Sequence, residues 1–491
     1  MFKLKELHIK NHYLFKDSVF QFVNSSELNN GPYSTILIGP NGTGKSQLLK
    51  LVVNIFRELN TIKSRKINYT QCNYLLRYSI NQDVYTLTNN RKFFPEYKLK
   101  YDINKNSKEV KKNDLLLPSN VLANSIMLND SFPVVNPSNN FYYYMGVRRS
   151  NAVAGTKSFI RKTVSYVIEA IQDSLFLKQF NNILEFLELE NSFKIYYSPR
   201  YRHLLYTGNL SVKDFKKFFN KWNLRRDTIP FGLSYFNKNF KNNEKNTEKI
   251  VKFLNYLSNK KLIPLGKRSK IFEYDILNDK SIQEDFVLIN MLDKLDLISY
   301  PSVKIRKANG EEFDIEASSS GEFHFLASIL AIIALIKENS LILIDEPEIS
   351  LHPNWQMRYI GFLKKFFGHY TSCHFIIATH SHFLISDLKD ETSEVISLRW
   401  NDKNKLKSET LNKNTYGWSA EQILLEVFRV PTTRNFFIAE KISDIMRLLA
   451  EPELREEIIK EKIMEIKDLN LDKIPNNDPL KEVIDKLLAK I

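Results

Sequence analysis

Gly39-Pro40-Asn41-Gly42-Thr43-Gly44-Lys45-Ser46 stands between the apolar run Ser34-Thr-Ile-Leu-Ile38 and the helix-patterned Gln47-Leu-Leu-Lys-Leu-Val-Val-Asn-Ile-Phe-Arg57. The eight residues fit G-x-x-x-x-G-K-[ST], a loop whose backbone N–H groups wrap a chain of phosphates. Gly39, Gly42 and Gly44 admit turns that other residues resist and let the amides approach phosphate oxygens. Lys45 brings a positive charge to the β- and γ-phosphates, and the Ser46 hydroxyl is a Mg²⁺ ligand. Only 14 glycines occur in 491 residues, so this cluster is no by-product of a glycine-rich composition.

Three hundred residues on, Leu341-Ile-Leu-Ile-Asp345-Glu346-Pro-Glu348 reads as an apolar strand ending in carboxylates. At the edge of a sheet, Asp345 is expected to hold Mg²⁺ directly or through water. Glu346 is expected to orient the hydrolytic water or accept its proton. The bland alternative is a solvated acidic turn after a core strand. Coupled to the glycine loop, the strand implies a chain that binds ATP with Mg²⁺ and hydrolyses it.

The length predicts two or three domains or one elaborated domain. A hydrophobic share of 43% is enough to build an interior and excludes wholesale disorder. The formal charge of +15 is compatible with DNA or RNA contact. A chain rich in Lys, Asn and Ile throughout would show the same balance. Two cysteines, Cys72 and Cys373, suit a reducing cytoplasm rather than a disulfide framework. The most apolar run, Phe323 to Ile336, is too short for the roughly 18–20 residues of a membrane span. The expectation is a cytoplasmic protein with no membrane association.

Leu4–Lys10 and Asp17–Val23 alternate with period two and predict an opening hairpin; residues 67–104 predict further short strands. The expected divisions are 1–155 for the first part of the nucleotide-binding head and 156–270 for a helical insertion. Residues 271–415 complete the head, and 416–491 form a helical C-terminal region. Val303–Ile315 predicts a hairpin turning at Asn309-Gly310.

Ser318-Ser319-Ser320-Gly321-Glu322 precedes the helical run Phe323–Ile336. Hydroxyls and a glycine at a helix N-terminus can bind an anion, although Ser319 and Glu322 also satisfy a capping box. Cys373, His374, His380 and His382 could suggest zinc. The apolar run Cys373–His380 reads instead as a buried strand with no partner cysteine pair.

The order of glycine loop, Ser-Ser-Gly-Glu, Asp-Glu-Pro-Glu-Ile-Ser-Leu-His-Pro and Ala-Thr-His-Ser-His resembles the ABC-type ATPases. More narrowly, it is similar to the bacterial stand-alone branch of overcoming-lysogenization-defect-like and anti-phage defence ATPases, including the ATPase subunits of the Septu system. The resemblance covers residues 1–60 and 300–390. It implies an α/β, ABC-type P-loop head, a mixed sheet flanked by helices. It also implies an ATP sandwich, in which Ser319, Ser320, Gly321 and Glu322 of one subunit cap the γ-phosphate held by another. Ser350-Leu351-His352-Pro353 then matches the loop crossing the dimer interface, and His380 matches a γ-phosphate-sensing switch histidine. A homo-oligomer built from such dimers and a separately encoded HNH nuclease effector, PtuB-like, are the implied partners. Two departures stand out. The Mg²⁺-contacting glutamine is not identifiable, with Asn129-Asp130-Ser131 in its expected place, and the signature starts with Ser318 rather than leucine.

Other readings fit less well. A transporter subunit has small residues after Asp-Glu-Pro, where this chain has Glu348. A fused nuclease needs more than the roughly 110 residues that follow the His380 region. The remaining alternative is a DNA-repair or chromosome-associated ATPase acting directly on nucleic acid, but residues 156–270 lack a coiled-coil pattern.

Overall fold

The computed structural model describes residues 1–23, 31–61, 70, 72–89, 102–106, 108–109, 111–134, 141–148, 155–223, 231–265, 269–279, 281–299, 301–315, 320–349, 351–386, 388, 392–400, 406–411, 415, 417–428, 436–450, 456–467 and 479–488. A seven-stranded sheet carries the chemistry. Its order is Leu406–Leu411, Ser393–Trp400, Tyr33–Ile38, His374–Ala378, Leu341–Asp345, Val121–Ser125 and Tyr142–Gly146. Neighbours are parallel except at the outer pair Leu406–Leu411 and Ser393–Trp400. The central strands are buried along their whole length, which is why they read as unbroken apolar runs. Their ends are level: Asp345 lies opposite Ala378 on one side and Ser125 on the other, and Ala378 lies opposite Leu37.

A six-stranded antiparallel sheet starts with the expected hairpin, Phe2–His12 against Lys16–Gln21, and continues through Asn73–Ile80, Asp83–Thr88, Asp102–Lys105 and Lys108–Glu109. The helix Lys45–Thr61 fills the space between the two sheets. Its Leu48, Val52, Ile55 and Phe56 share one core with Phe2, Tyr78 and Leu343. A wide apolar face on that helix is the i, i+3/i+4, i+7 spacing visible in sequence.

The helical insertion expected over 156–270 is only partly helical. Thr156–Ala170, Ser174–Phe186, Val212–Asn223 and Glu244–Tyr256 are helices, but Leu189–Tyr197, Leu262–Leu265 and Ser269–Asp275 are strands. They join Ser302–Lys307 and Glu312–Asp314 in a five-stranded antiparallel sheet. Alternate residues Phe193, Ile195 and Tyr197 bury one face, a period-two pattern that a helix continued from Phe159 to Leu189 conceals. The predicted turn is present, with Gly310 at φ +85°.

The chain divides into two compact units, Met1–Tyr416 and Gly417–Ile491. The second contains the helices Ala420–Glu426, Phe436–Ala450, Glu456–Lys467 and Pro479–Leu488, with Ile445, Ile459, Ile463, Ile484 and Leu487 as a small core. No helix among the described residues is long and apolar enough to cross a membrane.

Candidate nucleotide site

The strand Tyr33–Ile38 ends in the glycine loop, and the strand Leu341–Asp345 ends in the carboxylates. The strand His374–Ala378, which leads to His380, lies between them. Three chemistries therefore emerge at one edge, the carboxyl ends of parallel strands, where open α/β sheets bind ligands.

Gly42 and Gly44 take φ +79° and +86°, the left-handed region that the loop's turns require. Pro40, Asn41 and Gly42 face solvent, while Thr43 and Lys45 are buried. Thr43 Oγ1 donates to Pro40 O at 2.8 Å and stiffens the arch. The Lys45 ammonium donates to Gly39 O at 2.8 Å, so it lies curled under the loop. Burial lowers its pKa to about 8, against the opposing pull of Glu346, Asp345 and Glu348. The hairpin tip also touches the loop: a Cβ on Gly44 would meet Leu14 Cδ2 at 2.5 Å and Phe15 Cε1 at 3.0 Å.

Ser46 Oγ donates to Asp345 Oδ1 at 3.0 Å. Asp345 is 1% exposed, and burial raises its pKa to about 7. Its Oδ2 has no hydrogen-bond partner among the described residues. A buried carboxylate oxygen left unpaired beside a serine hydroxyl is an incomplete oxygen ligand set, which fits Mg²⁺. Among the described residues no group of three His, Cys, Asp or Glu side chains could cage an ion alone. Mg²⁺ characteristically completes its shell with water and phosphate oxygens.

Glu346 adopts φ +49°, unusual for a residue with a side chain, while its N–H bonds Ala378 O at 2.9 Å. Its carboxylate lies 3.5 Å from His380 Nε2, and His380 Nδ1 lies 3.5 Å from Lys45 Nζ. Burial first, and Lys45 second, bring the His380 pKa down to about 4, so the ring is neutral at physiological pH. A neutral ring can accept at Nδ1 from Lys45 and present Nε2–H toward Glu346.

The structure thus brings Gly39–Ser46, Asp345, Glu346 and His380 together. Ser318, Ser319 and Ser350 lie outside the described residues, as do the side chains of Ser320 and Glu322. Gly321 is buried at the start of the helix Ser320–Leu335. Asp130 is engaged elsewhere: it pairs with the Arg148 guanidinium at 2.7 and 3.0 Å and accepts the Tyr144 hydroxyl at 2.5 Å. Ser131 accepts from Gln47, the residue after Ser46, at 3.0 Å. The segment 129–131 therefore braces the start of the phosphate-loop helix through Ser131.

His374 is a core residue. Its Nδ1 accepts the Leu4 N–H at 3.0 Å, so the ring proton is on Nε2, 2.8 Å from Thr35 Oγ1. The sequence reading assigned no role to Glu348 or Gln356. Glu348 Oε1 accepts the His380 N–H at 2.6 Å, and Gln356 bonds both the Leu351 carbonyl and the Ser381 hydroxyl.

A phosphate loop and an acidic strand end, separated by the strand that bears a histidine loop, give this α/β fold a P-loop type of nucleotide site. Residues 187–386 match the family described as "AAA domain, putative AbiEii toxin, Type IV TA system", a segment that includes Asp345 and His380. The chain is 29% identical over 177 residues to the Septu protein PtuA of Bacillus thuringiensis, covering 30% of this chain and 43% of that protein. The match thus spans less than half the length of that relative. Among solved structures, the chain is similar to the Pyrococcus furiosus Smc head domain bound to the C-terminal domain of ScpA. That likeness has 12% identity, covers 84% of this chain and 96% of that one, and has a TM-score of 0.35. The SMC head domain of Thermotoga maritima gives 10% identity, 84% and 100% coverage and a TM-score of 0.34.

Proposed function

We propose that this chain is the ATP-binding and hydrolysing subunit of a bacterial anti-phage defence complex. It regulates a separately encoded HNH-type nuclease through ATP-sandwich dimerisation. The observation that carries the ATPase half is the Ser46–Asp345 hydrogen bond beside a buried Asp345 Oδ2 that has no partner among the described residues. The defence half rests on the likeness to the Septu protein PtuA.

Ser46 and Asp345 would hold Mg²⁺, which supplies positive charge to the phosphates and their leaving oxygens. The loop amides of Gly39–Ser46 bind the phosphates, and Lys45 exchanges its bond to Gly39 O for a phosphate oxygen. Glu346 orients the attacking water and takes up its proton, and neutral His380 offers an N–H to the terminal phosphate. The capping role of Ser319, Ser320, Gly321 and Glu322 belongs to the same proposal, as does the cytoplasmic setting.

The test uses purified full-length protein and Glu346→Gln, weighed by mass photometry with and without Mg²⁺-ATP. The proposal expects Glu346→Gln to accumulate ATP-bound dimers or higher assemblies. A Glu346→Gln protein that binds ATP yet keeps its nucleotide-free size sinks the sandwich. Co-purification from the native operon tests the partner: the neighbouring reading frame should encode an HNH nuclease that elutes with this chain.

One observation favours direct nucleic-acid contact as a second reading. Lys213, Lys217 and Lys221 are exposed at i, i+4, i+8 on the helix Val212–Asn223, whose Phe215 and Phe219 are buried. Binding of DNA or RNA that weakens steeply with salt, and weakens further when the three lysines become glutamate, is the expected signature.

A further inference from the structure

Two loops carry Glu346 and His380, the groups assigned to hydrolysis. One leaves the acidic strand at Glu346, and the other leaves its neighbour at Thr379. The ladder between these strands stops at Asp345 opposite Ala378, with one further bond from Glu346 N–H to Ala378 O. Beyond it, side chains make the connection. Glu348 Oε1 accepts the His380 N–H at 2.6 Å. Gln356, in the helix Pro353–Phe367, donates through Nε2 to Leu351 O at 2.9 Å and to Glu348 O at 3.3 Å. Its Oε1 accepts from Ser381 Oγ at 2.6 Å.

The amide orientation is fixed by this surrounding. Reversed, the Gln356 oxygen would face two carbonyl oxygens. Nor is Gln356 a helix cap, because His352 Nδ1 already accepts the Asn354 N–H at 3.3 Å. Ser381 is committed as well: its Oγ accepts the Phe383 N–H at 3.2 Å while its hydrogen goes to Gln356. These three bonds of the Gln356 amide all reach outside its helix, to both loops at once.

We infer that Gln356 is a positioning residue that makes the two loops one moving part. A displacement of Leu351 is passed through Gln356 to Ser381, one of Glu348 is passed to the His380 N–H, and from the His380 ring it reaches Lys45 and Glu346. The inference rests on the ATPase reading and deepens it, since it gives a contact at Leu351 a route to the hydrolytic groups within the same subunit.

Hydrogen exchange on the full chain tests it, comparing wild type with Gln356→Leu and Gln356→Glu. Gln356→Leu removes all three bonds, and amides at Leu351 and across His380–Phe383 should exchange about 10-fold faster together. Amides of the helix Pro353–Phe367 beyond its first turn should stay at wild-type values, and the melting temperature should fall by no more than about 4 °C. Gln356→Glu keeps an acceptor for Ser381 but sets a second oxygen against the Leu351 and Glu348 carbonyls, so exchange should rise more at Leu351 than across His380–Phe383. In ATP turnover, Gln356→Leu should lower kcat about 10-fold with KM within about twofold, and in a His380→Ala background it should cost no more than about twofold. Faster exchange in one loop only under Gln356→Leu, or a full kcat loss that persists without His380, overturns the coupling. Absence of ATP turnover in the wild type would defeat the ATPase reading instead, and the exchange pattern would still decide whether the loops are joined.

Discussion

Ser46 and Asp345, 299 positions apart, share a 3.0 Å hydrogen bond at the carboxyl edge of the parallel sheet. The bond uses Asp345 Oδ1 and leaves Oδ2 buried without a partner among the described residues. Replacing Asp345 with Asn removes a buried carboxyl group and keeps an acceptor for Ser46. The nucleotide-free protein should melt no lower than wild type, while Mg²⁺-dependent nucleotide binding falls at least about 10-fold. Differential scanning fluorimetry with and without Mg²⁺-ATP reads both effects. A variant whose ATP-induced shift equals the wild-type shift contradicts the metal role.

Glu346 holds φ +49°, a conformation that costs a residue with a side chain about 1–2 kcal/mol. Asn tolerates that region better and Gly adopts it freely. Glu346→Asn and Glu346→Gly should therefore raise the unfolding free energy in denaturant titrations by up to about 1 kcal/mol while turnover is lost. Unchanged or lower stability in both variants would mean that the backbone strain is not relieved there.

His374 links the core to pH. Complete burial lowers its pKa to about 3, from the ordinary 6.5 of the exposed side chain. A folded-state pKa below the unfolded value contributes stability that is present above about pH 6.5 and is lost as pH falls toward 3. Denaturation between pH 7 and 4 should show that loss. His374→Leu should be less stable at pH 7 by roughly 1–3 kcal/mol, because the Leu4 N–H loses its acceptor, but should show a shallower acid slope. Parallel slopes in the two proteins would remove His374 as the cause.

Gly44 gives the phosphate loop its close contact with the hairpin tip. Gly44→Ala must displace Leu14 and Phe15 and also occupy φ +86°. A loss of about 1–3 kcal/mol in stability and weaker nucleotide binding are expected. An Ala variant with wild-type melting and ATP affinity would show that the tip yields freely.

The parts legible in the sequence were those written in one continuous stretch. Gly39–Ser46 with its flanking strand and helix, the strand ending at Asp345, the opening hairpin and the Asn309-Gly310 turn each carry their pattern within about twenty residues. The five-stranded sheet was hidden because its strands come from separate places, Leu189–Tyr197 pairing with Ser269–Asp275 and with Ser302–Lys307. Pairing over such separations leaves only a short alternation, and helical stretches on either side outweigh it. Gln356 had no signal at all, since a glutamine early in a helix reads as a solvated side chain. Glu348 stood beside the motif, but its bond to the His380 N–H depends on two strands lying next to each other.

Steady-state ATP hydrolysis by the full chain, wild type beside Glu346→Gln with Mg²⁺ present, tests the central claim most directly. The account predicts Mg²⁺-dependent turnover in the wild type and a loss of at least about 100-fold in kcat in the variant, with ATP still bound. Turnover at the wild-type rate in Glu346→Gln, or none in the wild type under saturating Mg²⁺-ATP, would contradict it.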